Sequence, residues 1–303
     1  MSASKNVTGW LGVLERFDRR WIFLLMGLAV VVPLYFPIGL PVKPSSMTRA
    51  AYAPVEELKA GDVVLVSMDL DPSATPELEP YYRSVILQLK RKDVKIVFVT
   101  LWYAAPPLIE RWMRETMDVP IAAAGTAGYS GRPDRAYVRN VDYAYLGFRE
   151  GKQNVMFAMA ADIRKLFNGR TEDGTKIDNI SFMKDINRLG DFRLMVLVSA
   201  GAPGAKEYVQ YVQAQYSLRM VAATTAVSTT DLAPYYQSGQ LLGLVAGLSG
   251  AAEYEVLVGK TGTATQGADV LNVGHGVVII AILLGNTIYF LGRRRRRQQE
   301  AMA

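Results

Sequence analysis

Apolar and polar positions follow three regimes along this chain. Two long stretches carry no charge: Trp21–Val42 (WIFLLMGLAVVVPLYFPIGLPV) and Val270–Gly292 (VLNVGHGVVIIAILLGNTIYFLG). Each exceeds the ~20 residues a helix needs to cross a ~30 Å hydrocarbon layer. A helix is the form that satisfies a single segment's backbone groups there. Pro33 and Pro37 predict a kink or frayed end in the outer half of the first run. A cleaved signal peptide competes for that run. Such a peptide has an apolar core of ~7–15 residues ending at a small-x-small site, and the run is longer and lacks a clear site of that kind. An uncleaved helix is expected.

Between the two runs the period switches back and forth between strand and helix. Short apolar blocks at Asp62–Ser67 (DVVLVS, β-branched), Lys95–Thr100 (KIVFVT), Tyr143–Phe148 (YAYLGF), Arg193–Ser199 (RLMVLVS), Met220–Thr224 (MVAAT) and Leu241–Ala246 (LLGLVA) read as buried strands. Helical spacing marks Glu77–Arg91, Leu108–Met117, a long segment after Phe148 through Phe167, Ala205–Tyr216, and a last segment through Val258. Six strands separated by helices predict an α/β, Rossmann-like fold: a mainly parallel sheet with helices on both faces and transmembrane helices at either end. With no internal repeat, 43–269 reads as one domain. Asn168–Asp178 reads as a surface loop, and Ala122–Arg139, rich in Gly, Ala, Arg and Tyr, as an insertion or interaction loop.

Charge then orients the chain. Lys5, Arg16, Arg19 and Arg20 precede the first run and Arg293–Arg297 follow the second, against Lys43, Arg49 and Lys260 on the other side. The positive-inside rule puts both termini in the cytoplasm and 43–269 in the periplasm of a bacterial inner membrane. The anchoring residues are then Trp21 and the basic tail Arg293, Arg294, Arg295, Arg296 and Arg297 within 293–303. Five arginines could read nucleic acid. Directly after an apolar span they are better read as a stop-transfer element and a contact for anionic lipid, and no nucleic-acid partner is expected. Trp10, Leu11, Leu14 and Phe17 give segment 1–20 an amphipathic stripe suited to the membrane surface or a partner helix. The net charge of +6 arises mostly at these ends. Zero cysteines excludes disulfides and thiolate metal sites.

Candidate chemistry gathers where parallel strands end, since open sheets bind ligands beyond their carboxyl edge. The strand ends offer Asp69 and Asp71, Thr100 and Trp102, Ser199, Gly201 and Gly204, Thr224 and Thr225, and Gly247, Ser249 and Gly250; of these, Asp69, Asp71, Thr100, Gly201, Gly204, Gly247, Ser249 and Gly250 are the ligand-binding candidates. VLVSMDLDPS, Val64–Ser73, resembles the first motif of haloacid-dehalogenase-type phosphatases, and Thr100 matches their second. That resemblance implies Asp69 as nucleophile and Asp71 as general acid beside Mg²⁺. It stops at Thr100, because the later strand RLMVLVS runs into AGAPG without the acids that hold the metal in that family. Capping or turn duty is the plainer role for the pair. The two glycine turns, SAGAPGAKEY and AGLSGAAEYE, each follow a strand and open a helix, where backbone amides suit an anion; tight packing asks for the same glycines. GKTGTAT, Gly259–Thr265, lacks the P-loop's first glycine, since Tyr254 stands there. Ser181 and Lys184 supply the Ser-x-x-Lys of penicillin-binding proteins, but their middle element is missing and the span is too short. GKTGTAT reads as a polar linker into the second span. The single histidine, His275, lies at that span's start and is given an interfacial role.

AGDVVLVSMDLDPSATPELEP, VDYAYLGFREGKQNVM and YYQSGQLLGLVAGLSGAAEYE together resemble an uncharacterised family of bacterial two-span membrane proteins with a Rossmann-like middle, over most of Gly61–Glu255. The resemblance implies architecture and carries no catalytic residue. The expected function is a non-enzymatic subunit of an oligomeric inner-membrane assembly, in contact with the bilayer and with copies of itself or other inner-membrane proteins. No catalytic residue, cofactor or metal is assigned. The alternatives are an extracytoplasmic small-anion-binding or sensing module and, third, a Mg-dependent phosphatase using Asp69 and Asp71.

Overall fold

Val63–Asp69 (β1) is the centre from which the sheet grows. Its residues beyond Val63 are all buried, as expected for a strand covered on both faces. The computed structural model describes residues 19–121 and 135–300. β1 pairs in parallel with Lys95–Thr100 (β2) on one side and Leu194–Ser199 (β4) on the other. Tyr143–Phe148 (β3) extends the sheet beyond β2; Met220–Thr224 (β5) and Gly243–Ala246 (β6) extend it beyond β4. The order is β3-β2-β1-β4-β5-β6, parallel throughout. It is the order of doubly wound Rossmann-like sheets, and the chain reverses direction across the sheet between β1 and β4.

The chain falls into two units, 41–265 and a second formed by 1–40 with 266–303. In chain order the longer helices are Arg19–Tyr35 (α1), Ser46–Glu56 (α2), Thr75–Arg91 (α3), Pro106–Thr116 (α4), Lys152–Ala161 (α5), the helical run 205–216 (α6), Thr229–Gln237 (α7), Gly247–Val258 (α8) and Thr263–Glu300 (α9). Within the 41–265 body, aromatic packing ties α3 to α8: the Tyr81 and Tyr254 rings meet edge-on at 4.9 Å, and Tyr254 donates to Gln88 Oε1 at 2.6 Å. A second layer, including Met156, Met159, Ile163, Phe167, Tyr208 and Val212, packs with Leu65, Val97 and Leu197 of the sheet.

Both sheet edges are covered from within the body, which removes the hazard of an open edge. At β6, Gly243 lies so close to α2 that a Cβ would sit 2.1 Å from Ala51 N. Helix α2, not anticipated from the pattern, is held by Glu253, which accepts from Ser45 N at 3.0 Å and from the hydroxyls of Ser45 and Thr48 at 2.6 and 2.5 Å. At β3 the polar loop 168–178 lies along the strand, with Glu172 N donating to Tyr145 O at 2.9 Å.

Some boundaries moved for local reasons. β1 runs two residues past the expected Ser67, which places Asp69 inside the strand. The long helix expected through Phe167 breaks at Asp162, whose extended backbone ends α5 and whose side chain caps the next turn through Lys165 N. Helix α7 was not anticipated either. Of the first apolar run, only the part through Tyr35 is helical. Proline at 37 and 41 and Gly39 at φ +71° end the helix early. At 17 residues α1 is shorter than a full crossing requires. Thr263–Arg294 is 32 residues long, and it is the one helix among the described residues long and apolar enough to cross a membrane.

GKTGTAT opens that long helix. Gly259 ends α8 in the left-handed region at φ +74°, and Glu255, 3% exposed, accepts from the amides of Gly262, Ala264 and Thr265 and from the Thr265 hydroxyl. One carboxylate thus satisfies amides that a helix start leaves without partners. In the second unit, Asp269 is 1% exposed and accepts from Gly39 N at 2.8 Å and Leu40 N at 2.9 Å. The amphipathic stripe expected at Trp10–Phe17 and most of the Ala122–Arg139 loop lie outside the described residues.

Candidate functional site at the carboxyl edge of the sheet

Asp69, Ser199 and Thr224 stand in register at the ends of β1, β4 and β5. Asp69 is fully buried. Its Oδ1 accepts from Leu101 N at 2.7 Å and its Oδ2 from Ser67 Oγ at 2.7 Å. The Tyr208 hydroxyl lies 3.1 Å from Ser67 Oγ. Serine has one proton, so when Ser67 gives it to an ionised Asp69, Tyr208 is the donor to Ser67. Burial pushes the Asp69 pKa up to about 7, against the pull of the Leu101 amide and Ser67 hydroxyl, and the charge of Glu207 adds to the rise. Asp69 fastens the exit of β2 to the end of β1.

Asp71 points into a different environment. The strand has ended, and Asp71 accepts from Ser73 N at 2.8 Å and Ser73 Oγ at 2.5 Å, starting the turn Pro72–Ala74. The Ser73 hydroxyl holds its carboxyl below the usual range. Asp69 is thus engaged inside the sheet and Asp71 in an exposed turn. Thr100 is buried, and its Oγ1 accepts from Trp102 N at 3.0 Å. Among the described residues no three His, Cys, Asp or Glu side chains gather as a metal site.

The glycine turns are filled by the chain's own acids. At Gly204 a Cβ would lie 2.0 Å from Ser199 Oγ and 2.3 Å from Gly201 O, so only glycine fits without rearrangement. Glu207 accepts from Gly204 N at 2.8 Å, and Ser199 Oγ accepts from Ala205 N at 3.1 Å. At the second turn, Gly247 has φ +54°, and a Cβ there would meet Glu77 Oε2 at 2.7 Å; that same oxygen accepts from Ala226 N at 2.7 Å. Gly250 packs on Val245, and Ser249 is exposed. At both turns a carboxylate already stands where an external anion would bring its charge.

The larger opening lies over the ends of β2 and β3. It is a cleft of about 830 Å³ lined by Trp102, Tyr103, Phe148, Lys152, Gln153 and Asn154 among others. Trp102 spans it at the base: its Nε1 donates to Pro203 O at 2.6 Å, and its ring edge lies 3.6 Å from where a Gly201 Cβ would be. Tyr103 is 84% exposed. Helix α5 starts in this cleft at Gly151 with no side-chain cap and no acid in its first turn. Of the candidates read from sequence, Asp69, Thr100, Gly201 and Gly204 meet around the β1–β2–β4 exits. Gly247, Ser249 and Gly250 stand apart beyond β6, and Asp71 caps the exposed turn after β1. Trp102 was among the residues read at the strand ends, whereas Tyr103 and Phe148 were not; aromatic residues at two strand ends were the available signal.

In the second unit, Trp21 is 59% exposed, and Arg293, Arg294, Arg297 and His275 are also exposed. Ala29 and Pro33, one turn apart, are the buried positions of α1. Fold and cleft together define an α/β protein with a parallel doubly wound sheet, an open aromatic cleft at its carboxyl edge and one membrane-length helix. No family model, curated protein or solved structure matches the chain.

Proposed function

We propose that the protein is a non-enzymatic subunit of a bacterial inner-membrane assembly, with two anchoring segments, cytoplasmic termini and a Rossmann-like body in the periplasm. The observation that carries this reading is the bond pair from Gly39 and Leu40 to the buried Asp269. The end of the first apolar segment is held there to the start of the second, and removing residues 1–40 would leave a buried carboxylate without those partners. Such a loss costs ~1–3 kcal/mol or more for a charged group, which favours a retained first segment over a cleaved leader. The engagement of Asp69 inside the sheet and of Asp71 in a turn supports a role other than phosphoryl transfer. The likeness to two-span membrane proteins points the same way, and the apolar faces of α1 and α9 would meet lipid or neighbouring subunits.

Alkaline phosphatase fused at Asn168 and green fluorescent protein fused after Ala303 test the topology. The expected outcome is an active phosphatase and a fluorescent tail; fluorescence from an Asn168 fusion would defeat it. Native mass in mild detergent tests assembly, and a strict monomer without companion proteins counts against the subunit role.

A second reading, a periplasmic ligand-binding module, is favoured by the cleft at Trp102 and Tyr103. Its volume falls within the ~300–1,000 Å³ of small-molecule sites.

A further inference from the structure

The loop that walls the aromatic cleft through Ala202 and Pro203 also walls a second cavity, of about 130 Å³, through Gly201 and Ala202. This cavity lies over the ends of β4 and β5. Thr224, the last residue of β5, borders it at 1% exposure, and its hydroxyl has no hydrogen-bond partner. A buried hydroxyl left so costs ~1–3 kcal/mol, so its persistence asks for a partner from outside the chain. The neighbouring Ser199 hydroxyl cannot be that partner's first contact, because it already accepts from Ala205 N and donates to Gly201 O.

Charges border the same space. Glu207 spends Oε2 on Gly204 N, which leaves Oε1. Lys206 faces Asp231 across a long 3.4 Å pair, with both side chains largely in solvent. Exposed pairs of that kind hold their partners weakly. The lining therefore offers one ammonium and two carboxylates, a net charge of −1. A lone anion would meet the two acids, and a lone cation would meet Lys206. A molecule carrying both signs satisfies both ends. The space is larger than a single water needs but below the volume of nucleotide- or drug-sized sites, and Ala205 and Leu232 leave little room for a side chain.

We propose that this cavity binds a small zwitterion, a free α-amino acid with a short side chain. Its ammonium donates to Thr224 Oγ1 and Glu207 Oε1, and its carboxylate meets the Lys206 ammonium. The site is separate from the aromatic cleft and independent of which side of the membrane the body occupies.

Titration calorimetry on the full chain in mild detergent tests this with glycine, alanine and serine, and with methylamine and acetate as single-charge fragments. At least one amino acid is expected to bind, and each fragment about tenfold or more weaker, because methylamine forfeits the contact to Lys206 and acetate those to Thr224 and Glu207. Thr224→Val is expected to weaken binding about fivefold while raising the melting temperature of the ligand-free protein, since it removes a buried unpartnered hydroxyl and keeps its shape. Glu207→Gln, which still accepts from Gly204 N, is expected to weaken binding about tenfold. Absence of heat with every amino acid at ~10 mM would leave the cavity to water and overturn the proposal. So would a fragment that binds as tightly as the whole zwitterion, or full affinity in Thr224→Val.

Discussion

Asp69 is where a two-residue shift in a strand end changed the chemistry. Had β1 stopped at Ser67, both aspartates would have stood in a loop with water and each other for company. Two more residues of strand carry Asp69 into the sheet, and its carboxyl becomes a fastener for Leu101. Its folded pKa of about 7 lies above the ordinary value, so the folded state binds this proton more tightly than the unfolded chain. The sign follows by linkage: the contribution to stability is full below about pH 4 and is lost as pH rises through about 7, roughly 4 kcal/mol at most. Asp142, desolvated but bonded to Arg135 and Lys95, is held well below the usual range and stays ionised across that window. Thermal unfolding between pH 5 and 8 should show the melting temperature of the parent falling. Asp69→Asn, whose amide can still accept from Leu101 N, should flatten the profile; an unchanged slope would place the titrating group elsewhere.

At the scale of elements, carboxylates repeatedly stand at helix starts. Glu253 holds α2, Glu207 the start of α6, and Glu255 the start of α9. Each answers the amides and the partial positive charge that a helix start presents. This pattern explains why GKTGTAT is built from glycine and threonine: a Cβ at Gly262 would come within 2.7 Å of Glu255 Oε1. Glu255→Ala leaves three amides and a hydroxyl near the start of α9 without their acceptor. Its expected cost is about 2–3 kcal/mol in chemical denaturation, measured on the full chain in mild detergent. A change below about 0.5 kcal/mol would mean that water replaces the carboxylate.

The whole molecule divides into a body with its own core and a unit made from the chain's two ends. Both edges of the body's sheet are covered by its own residues, α2 at β6 and loop 168–178 at β3. Residues 41–265 expressed alone should therefore stay soluble without detergent and unfold in one cooperative transition. The full chain should sediment with membranes. Aggregation of the 41–265 fragment would show that the body needs its anchors to fold.

The strand blocks were legible in the sequence because burial on both faces demands continuous apolar runs, and KIVFVT, YAYLGF and MVAAT match their strands to the residue. Helices α2 and α7 were not legible, because each is short and holds its place through contacts made far along the chain, as Glu253 does for Ser45. The alternation of strand and helix, and the charge-free stretch that became α9, followed from composition and period alone, since hydrophobic burial acts on every residue locally. Which acid is buried, which helix start is already occupied, and where the sheet opens into a cleft depended on distances between residues far apart in the chain, 32 positions for Asp69 and Leu101 and 229 for Asp269 and Leu40. Hydrogen bonds and desolvation act through space, and a linear pattern holds no record of which partners the folded chain will bring together.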